Sequence, residues 1–290
     1  MDLKNYPALF RRADESSNRY QKIYIYLIKS EYSLLIFAAF FSIGLFNSKE
    51  FYIFYALIFV ASIIILLIRF LRKPEQDWYR CRALAESVKT LTWRFVMRSA
   101  PFVDSETPEI PLAEFRNHLH KIFDSNREVA KKIVSDWSAE DQVTNEMTKL
   151  RNMSFEERKE FYKTNRINEQ RAWYAVKARA NKRLASRWVA TAVTSYFIAA
   201  LLVLSRIAYP NVSFLPIEPL IVFSSSIIGW VQIKKYNELT EAYTVTAHEI
   251  GLLTPTIDNA IDEPALSGAV NEAELAFSRE HTLWLARQTD

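Results

Sequence analysis

The spacing of the histidines decides whether they could bind a metal ion together. Only four His occur among its 290 residues. His118 and His120 are two positions apart, so on a helix they point about 200° apart and cannot bind one ion together. His248 precedes Glu249, but the second histidine that a zinc-hydrolase helix needs four residues later is absent. The spacing therefore predicts structural or surface roles for the histidines, including the isolated His281.

Glycine and cysteine offer equally little catalytic potential. The chain has four glycines, at positions 44, 229, 251 and 268, which are too far apart to form a phosphate-cradling loop or a nucleophile elbow. The single cysteine, Cys81, cannot form an internal disulfide, which favours a reducing compartment. We therefore predict a protein that is not an enzyme, with no metal site and no cofactor.

Hydroxyl groups inside otherwise apolar segments are more informative. Small and hydroxylated residues recur four positions apart, which lets helix backbones pack closely. The alternative is that the hydroxyls face a central axis and line a water-filled path when an assembly opens. Glu218 carries the same ambiguity, because it could cap a helix or concentrate cations at a pore mouth. The candidate pore-lining residues are Ser42, Ser62, Thr191, Thr194, Ser195, Glu218, Ser224, Ser225 and Ser226.

A basic and aromatic cluster follows the second apolar segment and could bind a nucleotide. Guanidinium and ammonium groups bind phosphate, and an indole can stack on a base. The alternatives are a salt-bridged helix face, helped by Glu75, Asp77 and Glu86, or attraction to anionic lipid. The sequence has no long basic run of the kind that binds duplex nucleic acid, so we do not predict duplex nucleic acid as a partner. The candidate ligand-binding residues are Arg80, Arg82, Lys89, Trp93, Arg94 and Arg98.

Four uncharged segments would position these residues, at 32–48, 51–68, 188–205 and 219–233. The transmembrane helices that they predict are about 32–48, 51–70, 188–207 and 216–233. A helix needs about 20 residues to cross the hydrocarbon core, with about 17 to 25 usual. The last segment is short, and Lys234 and Lys235 can extend it by reaching back to the lipid headgroups. The sequence thus predicts an all-α membrane protein with four transmembrane helices in two hairpins.

The distribution of basic residues predicts the orientation of these hairpins. Basic residues flank the outer ends of both hairpins, whereas the two hairpin loops contain only Lys49 and Arg206. Positive charges remain in the cytoplasm, so both termini and the central region are expected there. The first 30 residues are charged and lack an apolar run, unlike a cleaved signal peptide. We therefore expect an integral membrane protein that retains its amino terminus.

The remaining sequence is helical and repeats one plan twice. We predict helices over 75–98, 112–137 and 266–287, and one that begins at a capping box formed by Ser154 and Glu157. Another helix is predicted to run from 168 into the third span, and the helix of the fourth span is predicted to continue to 253. The stretch 101–111 breaks the first of these, and Gly251, Pro255 and Pro264 mark the end of the helix that follows the fourth span. The predicted domains are 1–102, a cytoplasmic helical linker 103–167, and 168–290.

The order of several motifs resembles the SLATT family, the SMODS and SLOG-associating two-transmembrane effectors, with two units in tandem. The motifs of the first unit are YPALFRRAD at 6–14, WYRCRALAESVK at 78–89 and TWRF at 92–95; those of the second are QRAWY at 170–174, TEAY at 240–243, TAHEIGL at 246–252 and SREHTLWL at 278–285. The resemblance covers most of the chain outside 106–166. It implies membrane effectors of bacterial defence that form pores when a partner enzyme makes a nucleotide signal.

Two functional hypotheses follow for this chain. The first is a homo-oligomeric effector of anti-phage defence that forms a pore and permeabilises the inner membrane when a nucleotide second messenger or a signal-making enzyme triggers it. Its basis is the pair of hairpins with polar third and fourth spans and the lack of a catalytic motif. The alternative is a non-enzymatic membrane anchor or scaffold whose helical region recruits a cytoplasmic partner. Membrane lipid is a partner under both hypotheses.

Overall fold

The computed structural model describes residues 1–44, 48–133, 141–212 and 214–289, with side chains as far as Ser278. Within these ranges the chain is helical and has no strand, which confirms the predicted all-α fold. A short 3-10 turn, Leu3–Asn5, precedes the first helix, and a π-helix, Lys163–Asn168, joins α7 to α8. The helices are α1 (Ala8–Phe41), α2 (Lys49–Arg72), α3 (Pro74–Val96), α4 (Glu109–Ser125), α5 (Arg127–Ala130), α6 (Asn145–Arg151), α7 (Phe155–Tyr162), α8 (Glu169–Ala208), α9 (Ile217–Lys234), α10 (Tyr236–Asp258) and α11 (Glu263–Thr289).

Three helical runs among the described residues are long and apolar enough to cross a membrane. They are Ala8–Phe41, Lys49–Val96 and Phe155–Ala208. The last two contain the predicted spans 51–70 and 188–207, whereas the first ends at Phe41, within the predicted span 32–48. The fourth predicted span coincides with α9, which has 18 residues. Three serines at its centre and a charge near each end lower its hydropathy, and α9 is not among the three runs. A fourth crossing therefore remains a prediction.

Several predicted helices are confirmed, because their signals are local in sequence. The helix α3 covers most of the predicted 75–98, and α8 runs without a break for 40 residues into the third span. The capping box also forms, with the Ser154 backbone N–H donating to the Glu157 carboxylate over 3.0 Å. The break between α3 and α4 lies where the prolines predict it.

Three predicted helix limits are wrong. Lys235 adopts a left-handed conformation with φ of 48°, so α9 ends there and α10 begins anew. The helix α10 then continues through Gly251 and Pro255 to Asp258. Pro255 has no N–H to donate to the Gly251 carbonyl, so α10 passes through it with the loss of one bond of the helix. Pro264 lies in the first turn of α11, where no backbone partner is lost, and Asp262 accepts from the Ala265 N–H over 2.9 Å.

The predicted helix 112–137 is also interrupted. The helix α4 ends at Ser125, and Asn126 leaves the helical conformation with φ of −120° and ψ of 29°. The Asn126 side-chain amide donates to the Ile122 carbonyl over 2.8 Å, which satisfies one of the carbonyls exposed at the helix end. Residues 134–140, in which the predicted helix ends, lie outside the described part of the chain, as do 45–47 near the end of the first span.

The chain folds into two compact units. We call residues 1–21, 75–177 and 242–290 the core unit, and residues 22–74 and 178–241 the membrane-helix unit. The core unit encloses a water-excluded cluster that includes Trp93, Phe102, Phe115, Tyr162 and Ile250. The membrane-helix unit instead exposes many large apolar side chains, which is the pattern expected of helices that face lipid.

Candidate functional site

A cleft of about 480 Å³ opens between α1, α2 and α9 within the membrane-helix unit. Four of the nine predicted pore-lining residues line it, namely Ser42, Glu218, Ser225 and Ser226. The other lining side chains are mostly apolar. They are Tyr32, Leu35, Ala38, Ala39, Tyr55, Phe59 and Val222.

The sequence of α9 places its polar residues on the cleft by helical spacing. Counted from Glu218, the other three lining residues of α9 follow after four, seven and eight positions, so all four share one helix face. These three are Val222, Ser225 and Ser226. Glu218 lies in the first turn of α9 and is exposed, while Pro216 occupies the N-cap position and supplies no side-chain cap. From Glu218 to Ser225 the helix rises about 10 Å.

Tyr32, one of the lining residues, packs against the α9 backbone at Gly229. A Cβ atom added at Gly229 would overlap the Tyr32 hydroxyl, so a larger residue there would displace this ring. Gly229 follows Ser225 by one helical turn, on the side away from Glu218. Tyr32 therefore closes the end of the cleft opposite Glu218.

Two other predicted pore-lining hydroxyls lie between α8 and α9. The Ser195 hydroxyl donates to the Leu220 carbonyl over 3.1 Å, and the buried Ser224 hydroxyl donates to the Leu220 carbonyl of its own helix over 2.9 Å. Alanines recur every seven residues along one face of α8 and are buried there, at 178, 185, 192 and 199. The structure therefore gives Ser195 and Ser224 the close-packing role.

The last three candidates lie away from the cleft. Ser62 donates to the Ile58 carbonyl and Thr191 to the Arg187 carbonyl, each over 2.9 Å within its own helix. Thr194 is exposed on α8. Side-chain hydroxyls that bond to their own helix are compatible with a lipid-facing position, because no polar group is left unsatisfied.

Charged and aromatic side chains cluster at the opposite end of the membrane helices from Ser42 and Glu218. Lys29 and Lys234 each place the ammonium 5.7 Å from the centre of the Trp230 ring. Arg69 of α2 forms an ion pair with Glu31 of α1. Tryptophan and lysine are enriched at the membrane–water interface, and this cluster has that composition.

The six predicted ligand-binding residues do not converge on one site. Arg82 pairs with Asp14 over 3.1 Å and with Glu86 over 2.6 Å. Lys89 lies 3.9 Å from Glu86, and burial lowers the pKa of its ammonium group. The ion-paired face of α3 therefore matches the structural alternative considered for these residues.

The other members of that set lie in different surroundings, and Arg98 lies beyond the end of α3. Trp93 is 1% exposed and donates from its indole nitrogen to the Tyr6 hydroxyl over 2.9 Å, so its ring cannot stack on a base in this conformation. Arg98 bonds to Asp104 over 2.6 Å. Burial lowers the pKa of Arg94, and Arg80 is exposed.

Family comparisons divide the chain into two consecutive matches. The SMODS and SLOG-associating 2TM effector domain 3 matches residues 7–159, and domain 1 of the same series matches residues 162–284. The chain belongs to the SLATT family. The predicted tandem of two SLATT units is confirmed. No curated protein and no solved structure shows significant similarity to the chain.

Membership gives the chain the general character of a membrane effector. SLATT domains are two-transmembrane effector domains associated with defence systems, and they are not known as enzymes. Both SLATT domains line the cleft, because α1 and α2 belong to the first domain and α9 belongs to the second. The domain limits at 102 and 167 remain a prediction.

A buried ion pair in the second SLATT domain was missed by the sequence analysis. Arg166 of the π-helix donates from Nε and Nη2 to the two carboxylate oxygens of Glu274, over 2.8 and 2.7 Å. The Tyr162 hydroxyl donates to the same carboxylate over 2.9 Å. The Arg166 guanidinium also lies 4.3 Å from the centre of the Phe277 ring and 5.8 Å from that of Trp93. This network links both SLATT domains inside the core unit.

Burial and the Glu274 charge oppose each other in the pKa of Arg166 and act in the same direction on the pKa of Tyr162. Burial alone would lower the pKa of Arg166, but the Glu274 carboxylate outweighs it and raises that pKa. Burial, followed by the Glu274 charge, raises the pKa of Tyr162 well above its ordinary value. The sequence did contain one signal, since Glu274 lies between Val270 and Phe277 on the apolar face of α11.

Among the described residues of the SLATT protein, His118 and Cys81 pack inside the fold, whereas His120 and His248 are exposed. His118 is half-buried, with Nδ1 2.9 Å from the Glu114 carbonyl and its ring 5.3 Å from that of Phe102, so it is not the surface residue its spacing allowed. His120 is exposed beside Asp124. Burial raises the pKa of Cys81 to about 12. The side chain of His281 lies outside the described residues, and within them no group of metal-ligating residues is found.

Proposed function

We propose that this tandem SLATT protein is a pore-forming effector of a bacterial anti-phage defence system. Copies of the chain assemble in the inner membrane and stay closed until a nucleotide signal or a partner acts on them. The assembly then opens and permeabilises the membrane. Family membership supports the effector role, and the cleft supports the pore.

The observation that carries the pore proposal is the shared position of Ser42, Glu218, Ser225 and Ser226. Polar groups inside a membrane helix are costly when they face lipid, so they face protein or water. These four residues line an open cleft, whereas the Ser195 and Ser224 hydroxyls bond to the Leu220 carbonyl between α8 and α9. The Ser225 hydroxyl also lies 3.2 Å from the hydroxyl of Tyr196 on α8. A cleft with a hydroxyl-bearing wall becomes part of a water-filled path once neighbouring copies enclose it.

The orientation follows from charge. The Lys29, Trp230 and Lys234 cluster and the basic flanks belong on the cytoplasmic side under the positive-inside rule. Ser42 and Glu218, at the other ends of α1 and α9, then face the periplasm. Both termini and the central region are cytoplasmic in this arrangement.

The proposed trigger is a nucleotide second messenger made by a partner enzyme. Arg82 and Lys89, which share one face of α3, are its proposed phosphate ligands. Since Arg82 and Lys89 already pair with Glu86, a phosphate would have to displace that carboxylate. Such an exchange of partners would change helix packing in the core unit, which is what a trigger must do.

Ion flux from proteoliposomes tests this function. The full-length protein is reconstituted and challenged with a panel of cyclic di- and trinucleotides, and release of a self-quenched dye and of K⁺ is followed. Ser225→Phe should reduce flux by filling the cleft, whereas Thr191→Phe, which places the same side chain at an exposed site on α8, should not. Co-expression with a candidate signal-making enzyme, read as depolarisation of live cells, extends the test to a protein trigger. Absence of leak in every condition would favour the anchor or scaffold hypothesis.

A further inference from the structure

The cleft carries a single charged side chain among its described lining residues, the Glu218 carboxylate. Its remaining polar groups are hydroxyls of serine and tyrosine. Carboxylate and hydroxyl oxygens replace water around hard cations, whereas anions require N–H donors or positive charge. The described lining contains no lysine, arginine or histidine.

The polar groups follow one another along the cleft. Ser42 lies immediately beyond the end of α1, and its hydroxyl donates to the Ala39 carbonyl over 2.8 Å, which leaves its oxygen lone pairs available as acceptors. Ser225 and Ser226 lie about 10 Å farther along α9 from Glu218. Tyr32 against Gly229 closes the far end. A cation that enters beside Glu218 thus meets further oxygen ligands before it reaches the constriction.

We infer that the open pore conducts cations in preference to anions and that Glu218 sets this preference. The inference rests on the proposed pore function. Each copy in a homo-oligomer contributes one Glu218, and the apolar walls formed by side chains such as Leu35 and Phe59 focus the field of these carboxylates. Local cation concentration rises accordingly, and anions are repelled.

A purely structural role for Glu218 predicts a different result. A carboxylate in the first turn of a helix interacts favourably with the helix dipole, so neutralising it would lower stability slightly without changing which ions pass. Glu50 provides the matched control. It is also an exposed acid in the first turn of a membrane helix, α2, but it does not line the cleft.

Planar-bilayer recordings in a KCl gradient separate these roles. The purified full-length protein is activated with the cyclic nucleotide or partner that opens it in the flux assay, and the permeability ratio of K⁺ to Cl⁻ is obtained from the reversal potential. We expect a ratio of about tenfold for the wild type. Glu218→Gln should bring the ratio close to unity and Glu218→Lys should invert it, while Glu50→Gln should leave it unchanged.

The outcomes distinguish this inference from the function on which it rests. A conducting wild type without cation preference, or a Glu218→Gln variant with the wild-type ratio, would overturn the inference and leave the pore intact. Absence of any conductance under every nucleotide and partner condition would overturn the pore proposal, and the selectivity inference with it. Because Gln and Glu have nearly the same shape, loss of folding does not confound the first variant.

Discussion

Replacing Glu274 by alanine should destabilise the core unit strongly. The substitution removes both oxygen acceptors of Arg166 and the partner of the Tyr162 hydroxyl. Arg166 is 1% exposed and Glu274 is 0% exposed, so water cannot replace the lost carboxylate without local opening. Removing one partner of a buried ion pair costs about 3–5 kcal/mol, and we expect a loss in this range.

Chemical unfolding of the detergent-solubilised protein measures this loss. Trp93 lies within the same network, so tryptophan fluorescence reports on it. The control is Asp258→Ala, which breaks the pair of Lys163 and Asp258 at 2.6 Å, where the side chains are 29% and 41% exposed. An exposed pair contributes about 0–1 kcal/mol, so this control should change stability little.

A double substitution completes the test. Arg166→Met combined with Glu274→Leu removes both charges and fills the space with apolar groups, which should recover much of the stability lost by Glu274→Ala. The reasoning is refuted if Glu274→Ala unfolds within about 1 kcal/mol of the wild type, as expected of a solvent-exposed pair.

Three further predictions concern single positions. Gly229→Ala should displace the Tyr32 hydroxyl, because the new Cβ would lie 2.3 Å from it, and raise untriggered dye release from proteoliposomes; unchanged release would contradict the role of Tyr32 as the closure. Cys81, with its pKa raised to about 12 by burial, should resist maleimide at neutral pH until denaturant is added, so rapid labelling of the folded protein would contradict its burial. Burial raises the folded-state pKa values of Tyr6 and Tyr162. The contribution of these tyrosines to stability should therefore be intact below pH 10.0, their ordinary pKa, and be lost as the pH rises above that value. Unfolding curves at alkaline pH measure this loss, and a stability that stays constant above pH 10.0 would contradict the prediction.

Patterns that are local in sequence predicted much of the fold. Uncharged segments and their basic flanks located the membrane helices, and the pair of Ser154 and Glu157 located the start of α7. These signals need only neighbouring residues, because hydrophobic thickness and helix capping act over one segment at a time.

The helix limits that the sequence did not predict depend on tertiary structure. Nothing in the composition around Lys235 requires the left-handed conformation that separates α9 from α10. Proline usually ends or kinks a helix, yet α10 passes through Pro255, where only the bond to the Gly251 carbonyl is missing. Asn126 ends α4 by bonding to the Ile122 carbonyl, a bond that the sequence permits but does not demand.

The candidate site was partly predictable for the same reason. Helical spacing placed Glu218, Ser225 and Ser226 on one face of α9, and they share the cleft. Spacing could not show that Ser224 turns towards α8, nor that Tyr32 packs on Gly229, since both depend on which helices become neighbours. The pair of Arg166 and Glu274 joins residues 108 positions apart, beyond the reach of any local pattern.

Accessibility mapping of single cysteines tests the central claim most directly, because a cleft in a membrane pore requires both hairpins to cross the bilayer. In a Cys81→Ala background, cysteines at positions 48, 130 and 210 are labelled in intact cells with a membrane-impermeant maleimide. We predict labelling at 48 and 210 from outside the inner membrane, and at 130 only after that membrane is permeabilised. Equal accessibility of all three positions from one side would contradict the account.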